Sequence, residues 1–289
     1  MGQNHCQGTA GSATTRDGRE LFYMECAGPD GGGPATVVFE SGLAASRSYW
    51  ALVQPAVARS ARAVVYDRSG LGRSAPDPER RDLARLADDL GDLLDHLGPG
   101  PFVLVGHSWG GLIARRAAAA RPERIAGLVL VDPTDEACDL LFDRSVRRLE
   151  KVRYRAALVL AKLRLFGFLY RAMTDKLPLD AAADMRAEAF TVQVVRTMGA
   201  QQATVEADLT ALRDDPPRIG DIPVTVISST QRTPGMSATA LEAITAAHVH
   251  RAQQFPRGRH VHARRSDHDV PTNEPAVIID EVERVLRSL

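Results

Sequence analysis

The feature that most constrains this chain is residues 102–111, Phe-Val-Leu-Val-Gly-His-Ser-Trp-Gly-Gly. An apolar run reaches Gly106, passes through a G-x-S-x-G pentapeptide and leads into residues 110–121, a helical pattern that ends before Pro122. A strand that becomes a helix within so few residues must make a tight, strained turn at Ser108. The neighbours two positions away then press against backbone, so only small residues fit at Gly106 and Gly110. Such a turn lifts the Ser108 hydroxyl out of the sheet and over a helix N-terminus, which favours developing negative charge. That is the setting of a serine nucleophile.

The flanking sequence fits a parallel sheet. Residues 35–40, 61–67, 102–106 and 127–132 are short, continuous apolar runs, as expected of strands buried on both faces. Between them, Leu83, Leu86, Leu90, Leu93, Leu94 and Leu97 repeat at three and four, with Arg and Asp on the other face. Residues 21–26 read as a first strand, and residues 28–34 (GPDGGGP) as a loop. Residues 1–19 are polar and read as a loose leader. The alternation stops at about residue 134, and no convincing strand returns before residues 222–229 and 258–264. A closing helix covers 270–289. The expectation is an α/β core over 20–133 and 218–289, with a mostly parallel central sheet flanked by helices and a helical cap over 134–217.

Composition excludes several functions. Lys+Arg and Asp+Glu both number 36, so there is no basic surplus to neutralise nucleic-acid phosphates. Cys6, Cys26 and Cys138 are few, odd in number and widely spaced, which fits neither a disulfide framework nor a zinc site. The first 19 residues lack the apolar stretch of a signal peptide. The most apolar long stretch, residues 156–173, carries Lys162, Arg164 and Arg171, whose burial in a bilayer would cost about 2.5–3.5 kcal/mol each. A cytoplasmic protein without a transmembrane segment is expected.

With the elbow and these strands in place, the chain resembles the serine-dependent branch of the α/β-hydrolase superfamily, from about Thr15 onward. Residues 38–43 (VFESGL) resemble the oxyanion loop. Residues 66–74 (YDRSGLGRS) resemble the D-x-x-G-x-G-x-S loop, and Ser266-Asp267-His268 lies after the last strand, where the family keeps its histidine. The resemblance implies that Ser108 is the nucleophile and His268 the base, with the backbone N–H groups of Leu43 and Trp109 as the oxyanion hole. The family often has His-Gly in the oxyanion loop. Here Ser41-Gly42 stands there, preceded by Glu40, which raises the question of what braces the loop. Asp67 is expected to brace its own loop.

The acid is displaced. The strand after the insertion ends Ile227-Ser-Ser-Thr-Gln-Arg, and the first carboxylate beyond it is Glu242. Asp132 ends the neighbouring strand at the edge where ligand sites of open α/β sheets gather, so it is the expected acid, with Asp135 and Glu136 behind it. Of the other histidines, His107 is read as packing in the elbow. His248/His250 and His260/His262 each form an H-x-H pair that would share a strand face. No Cys or carboxylate joins them, so no metal and no cofactor are expected.

In the insertion, Arg144, Arg147, Arg148, Lys151 and Arg155 fall at helical spacing. Leu149, Val152, Ala156, Val159, Leu160 and Leu163 form the other face. Either this is a solvated basic face over an apolar underside, or it attracts anionic head groups and touches membrane surfaces weakly. Phe166, Phe168 and Leu169 are the candidate lining of an acyl pocket. The expected function is cleavage of an apolar carboxylic ester through an acyl-enzyme, with a small-molecule substrate. Thioesterase, lactonase, acyltransferase, perhydrolase and aminopeptidase chemistry use the same machinery. A non-catalytic binding protein on the same fold is the remaining class.

Overall fold

A computed structural model of the chain describes residues 5–29 and 33–289. Eight strands form one sheet: β1 (Thr9–Thr14), β2 (Glu20–Cys26), β3 (Thr36–Glu40), β4 (Ala63–Tyr66), β5 (Phe102–His107), β6 (Ile125–Val131), β7 (Val224–Ser229) and β8 (Gly258–Ala263). Their spatial order is β1-β2-β4-β3-β5-β6-β7-β8. β1 and β2 pair antiparallel, β2 pairs antiparallel with β4, and every other pairing is parallel.

The eight longer helices are α1 (Leu83–Leu97), α2 (Trp109–Ala120), α3 (Arg144–Lys162), α4 (Leu179–Glu188), α5 (Val192–Gln202), α6 (Val205–Asp214), α7 (Ala238–Gln253) and α8 (Pro275–Arg287). The continuous apolar runs of the central strands are explained by helices on both faces. Val38, Val64, Leu104, Leu128 and Val226 point to the α1 and α2 side, with Leu90 and Leu112. Their neighbours Val37, Val65, Val103, Val129 and Ile227 point to the other side, with Ile278 and Val282 of α8. Period-two alternation therefore feeds two cores at once.

Residues 134–217 contain helices and no strand, between β6 and β7. The last of these helices, α6, sends Leu209 and Leu212 into the same cluster as α1 and α2.

Two expectations are corrected. Residues 1–19 are not a loose leader throughout, because β1 pairs with β2 from Thr9↔Glu25 to Thr14↔Glu20. β1 is an edge strand whose only buried residue is Ala13, so its polar sequence carries little apolar signal. Residues 1–4 of that stretch, and residues 30–32 of the 28–34 loop, lie outside the described residues. His248 and His250 lie on α7, not on a strand, so their spacing of two turns them to different faces: His248 is fully buried and His250 is not. α7 is N-capped by Ser237, which accepts from the Ala240 N–H at 3.1 Å.

A buried ion pair ties the insertion to the core. The fully buried Arg47 donates from Nη1 to Asp67 Oδ2 at 2.6 Å, and its backbone N–H donates to Asp67 Oδ1 at 2.9 Å. The same guanidinium reaches Glu188 at 2.5 Å and Asp184 at 2.6 Å on α4. Asp67 also accepts the Arg73 N–H of its own loop at 3.2 Å, the bracing expected of it. Replacing Arg47 with Met should leave a buried carboxylate without its cation and cost about 3–5 kcal/mol in urea unfolding. The double variant Arg47→Met/Asp67→Asn should recover part of that loss.

Candidate active site

Ser108 sits between β5 and α2 with φ 53° and ψ −122°, a strained conformation for a residue with a side chain. A Cβ on Gly106 would lie 2.6 Å from the Gly110 carbonyl oxygen, and one on Gly110 would collide with the Glu40 carbonyl. The glycines are therefore the condition for the turn.

β5, β6, β7 and β8 are consecutive neighbours, so the loops after them meet at one edge of the sheet. His268, after β8, places Nε2 3.0 Å from Ser108 Oγ. Its Nδ1 lies 2.6 Å from Oδ2 of Asp132, the residue that follows β6. Asp132 Oδ1 accepts the Ser229 N–H from the end of β7 at 2.7 Å. The β7 terminus carries no carboxylate, but it anchors the carboxylate that its neighbour supplies. Asp132 also has a positive φ of 41°.

These contacts polarise the site. Burial works to raise the Asp132 carboxyl, but the hydrogen bond and charge of His268, together with His248 and the Ser229 N–H, hold it at about 2. Burial works to lower His268. Asp132, followed by Asp269 and Asp267, outweighs that effect and raises His268 above its ordinary value.

Asp135 and Glu136 are occupied elsewhere. Asp135 accepts from Arg251 at 2.8 and 3.0 Å, and Glu136 binds Arg115 at 2.7 Å and Arg251 at 2.6 Å, in a buried cluster.

Two histidines contribute more than the sequence reading assigned them. His107 Nε2 lies 2.9 Å from the His268 carbonyl oxygen and donates to it, and the two rings are 4.7 Å apart. Burial, with the nearby His268, lowers His107 to about 3, so it stays neutral. His248 donates from Nε2 to the Pro133 carbonyl at 2.7 Å, and its Nδ1 lies 2.8 Å from Ser228 Oγ, behind Asp132. A histidine in an Ala-rich helix carries no local signal for this contact, because Pro133 is 115 residues away.

The loop after β3, expected to supply an oxyanion hole, is braced by Arg68. Its guanidinium bonds to Glu40 and donates to the carbonyls of Ser41 at 2.5 Å and Gly42 at 2.6 Å. Tyr66 also donates to Glu40, which is fully buried. Leu43 lines the cavity beside Ser108, and Trp109 follows Ser108 as the first residue of α2.

Ser108, His268 and Leu43 open onto a cavity of about 450 Å³, closed from the insertion by Phe166, Tyr170 and Met173. Of the three residues expected to line an acyl pocket, only Phe166 lines this cavity. Phe168 and Leu169 are 67% and 66% exposed and face away, because the short helical turn Phe166–Tyr170 buries Phe166 alone. Most of the face of α3 expected as an apolar underside is also turned outward: Leu149, Val152, Val159 and Leu163 are exposed, Leu160 packs partly inward, and only Ala157 and Ala161 of the helix are buried. Among the described residues, His5, Cys6 and Asp180 form the one cluster with metal-ligand geometry. None of them lines the Ser108 cavity, and burial followed by Asp180 raises the Cys6 thiol to about 12, away from the thiolate a metal needs.

Over residues 35–279 the sequence matches the family described as alpha/beta hydrolase fold. The chain belongs to that family. As an α/β hydrolase it is similar to a Rhizobium rhizogenes protein named as the carbamate hydrolase RutD, at 35% identity over 45% of this chain and 51% of that one. It is also similar to the dihydrolipoyllysine-residue acetyltransferase component of an acetoin cleaving system from Pseudomonas putida, at 35% identity over 45% of this chain and 34% of that one. The match thus spans about half or less of these relatives' length. Among solved structures, the epoxide hydrolase CorEH superposes with a TM-score of 0.75 at 19% identity, over 97% of this chain and 99% of that one. A thermophilic esterase from Thermogutta terrifontis gives 0.70 at 20%, over 97% and 99%. At those identities the likeness is one of fold. No helix among the described residues is long and apolar enough to cross a membrane.

The opposed shifts at the two histidines are directly measurable. In an NMR titration of ring protons, His268 should titrate above the ordinary imidazole value of about 6.5, while His107 should stay neutral until the acid limit of folding. In Asp132→Asn the His268 midpoint should move down.

Proposed function

We propose that this α/β hydrolase is a metal-free, cofactor-free serine hydrolase that cleaves an apolar carboxylic ester. The observation that carries the reading is the continuous contact Asp132 Oδ2–His268 Nδ1–His268 Nε2–Ser108 Oγ, at 2.6 and 3.0 Å. With Nδ1–H donated to Asp132, the free Nε2 lone pair faces the Ser108 hydroxyl. His268 removes that proton as Ser108 Oγ attacks the ester carbonyl. The tetrahedral oxygen is received by the N–H groups of Leu43 and Trp109. His268 then returns the proton to the departing alcohol, leaving an acyl group on Ser108. Water, deprotonated by His268, adds to the acyl-enzyme and releases the acid.

Asp132 serves by charge and by direction. Its carboxylate stays ionised through the cycle and stabilises the imidazolium formed in each half-reaction. Arg68 serves by position, since it fixes the carbonyls that precede Leu43. The helical segment over 134–217 acts as a cap, and its Phe166 sets the apolar character of the acyl site. The relatives named as carbamate hydrolases favour one second reading, a carbamate carbonyl attacked by the same serine.

A fluorophosphonate probe and a panel of p-nitrophenyl esters and carbamates test these readings together. Ser108→Ala should abolish labelling and lower kcat by roughly 10⁴–10⁶ with folding intact. Retention of a tenth of the wild-type rate would remove Ser108 from the role. Asp132→Asn should lower kcat by roughly 10²–10⁴, while Glu242→Gln, outside the contact chain, should be nearly silent. Because His268 must be neutral to act and its value is raised, the acid limb of kcat/KM should lie above the ordinary imidazole value and move down in Asp132→Asn. Phe166→Asp should slow long-chain esters more than acetates; equal losses would make Phe166 simple packing.

A further inference from the structure

The outer face of the helical segment is left unexplained by catalysis. Leu149, Val152, Ala156, Val159 and Leu163 follow at intervals of three and four, so they form one stripe along α3. The stripe lies opposite the two buried residues of the helix, Ala157 and Ala161, and therefore points outward. Leu149, Val152, Val159 and Leu163 are 48%, 60%, 56% and 61% exposed. Arg148, Arg155 and Lys162 run along one side of it and Arg153 lies on the other, with Arg164 just beyond the helix end. Beyond the helix Phe168 and Leu169 are exposed as well, Phe168 in a cleft with Lys162 and Arg164 of the helix end.

Charge identifies the class of occupant. Residues 144–171 carry nine Lys and Arg against Glu150 alone, in a chain whose total charge is zero. Glu150 is already paired with Arg147 at 2.8 Å. Next to the stripe is a cleft of about 710 Å³ lined by Lys162, Arg164, Phe168, Arg171 and Arg186. Its one carboxylate, Asp175, is shared by Arg171 at 3.5 Å and Arg186 at 2.8 Å. Lys162 and Arg164 have no ion-pair partner among the described residues. A second copy of α3 packed on this stripe would bring like-charged rows together, which is unfavourable. An acidic partner helix would cover the seam along α3 but leave Phe168 and Leu169 in water. A lipid surface covers both, with the Lys and Arg stems lying on it and their charges reaching the head groups.

We propose that this face docks on an anionic lipid bilayer, with the apolar stripe in the acyl boundary and the cationic rows at acidic head groups. The docking does not depend on the chemistry at Ser108. Given the ester-hydrolase reading, it places a lipid-soluble ester beside the cavity, because Arg153, Phe166 and Tyr170 belong to the same segment and line it.

Flotation of the full chain with phosphatidylcholine vesicles, with and without phosphatidylglycerol, tests the proposal. Binding is expected only with phosphatidylglycerol and should fall steeply with salt. Arg148→Gln/Arg155→Gln should weaken it roughly thirty-fold, at about tenfold per 1.4 kcal/mol and about 1 kcal/mol per cation. Val152→Asp/Val159→Asp should abolish it. Circular dichroism should be unchanged in both variants, and turnover of a water-soluble ester should also be unchanged where the wild type has any. Equal binding to both vesicle types, no binding, or binding indifferent to both variants would overturn the proposal. So would sedimentation showing a dimer that Val152→Asp/Val159→Asp dissolves, or capture of an acidic helical peptide in place of vesicles. Loss of fluorophosphonate labelling in Ser108→Ala without loss of flotation would separate the two readings.

Discussion

The Asp132 carboxylate is the point on which the active edge depends. One oxygen is held by the Ser229 N–H from the end of β7 and the other by His268 from beyond β8. Three chain segments far apart in sequence are thereby locked at one place. The carboxylate is buried, and a buried charge is tolerated only where such contacts repay its desolvation. Here they do, since the group remains ionised. Removing any of the three segments from register would leave a charge without a partner, so the geometry is under a strong constraint.

A second layer of buried polar contacts holds this arrangement from behind. His248, from α7, joins the Pro133 carbonyl to Ser228 Oγ. His260 Nε2 lies 2.8 Å from the same hydroxyl on the other side. With Nε2–H of His248 donated to Pro133, its Nδ1 accepts from Ser228, and Ser228 Oγ in turn accepts from His260. The end of β7, which lacks an acid of its own, is thus stiffened by imidazoles. In the elbow, His107 gives the His268 backbone a fixed donor while staying neutral. A positive charge there would oppose a positive charge on the His268 ring, 4.7 Å away.

The front of the site depends on two arginines. Arg68 gathers Glu40 and the carbonyls of Ser41 and Gly42, so the loop after β3 is set by a side chain from the loop after β4. Arg47 joins Asp67 to α4. Such pairs are costly to desolvate and weak as sources of net stability, but each has few alternative partners inside the protein. Their effect is to fix relative position. The α3 surface obeys the opposite rule: its cations lie in rows at the surface beside apolar residues.

The local patterns in the chain determined its fold class. Apolar runs specify strands buried on both faces, leucines at three and four specify α1, and glycines around Ser108 specify a turn that no bulkier residue enters. These are short-range constraints, so they are legible without a structure. The meeting of Asp132 with His268 was also legible as an expectation, because the neighbouring strand end carries no carboxylate, and the two side chains do lie 2.6 Å apart. The edge strand β1 was not legible, because half of its pairing surface faces water and its residues are polar. The tertiary structure alone decided which face of α3 is outward, that Phe166 and not Phe168 enters the cavity, and that Asp135 and Glu136 belong to Arg251 and Arg115. Helical spacing records that two faces differ but not which one finds a partner, since burial depends on elements distant in sequence.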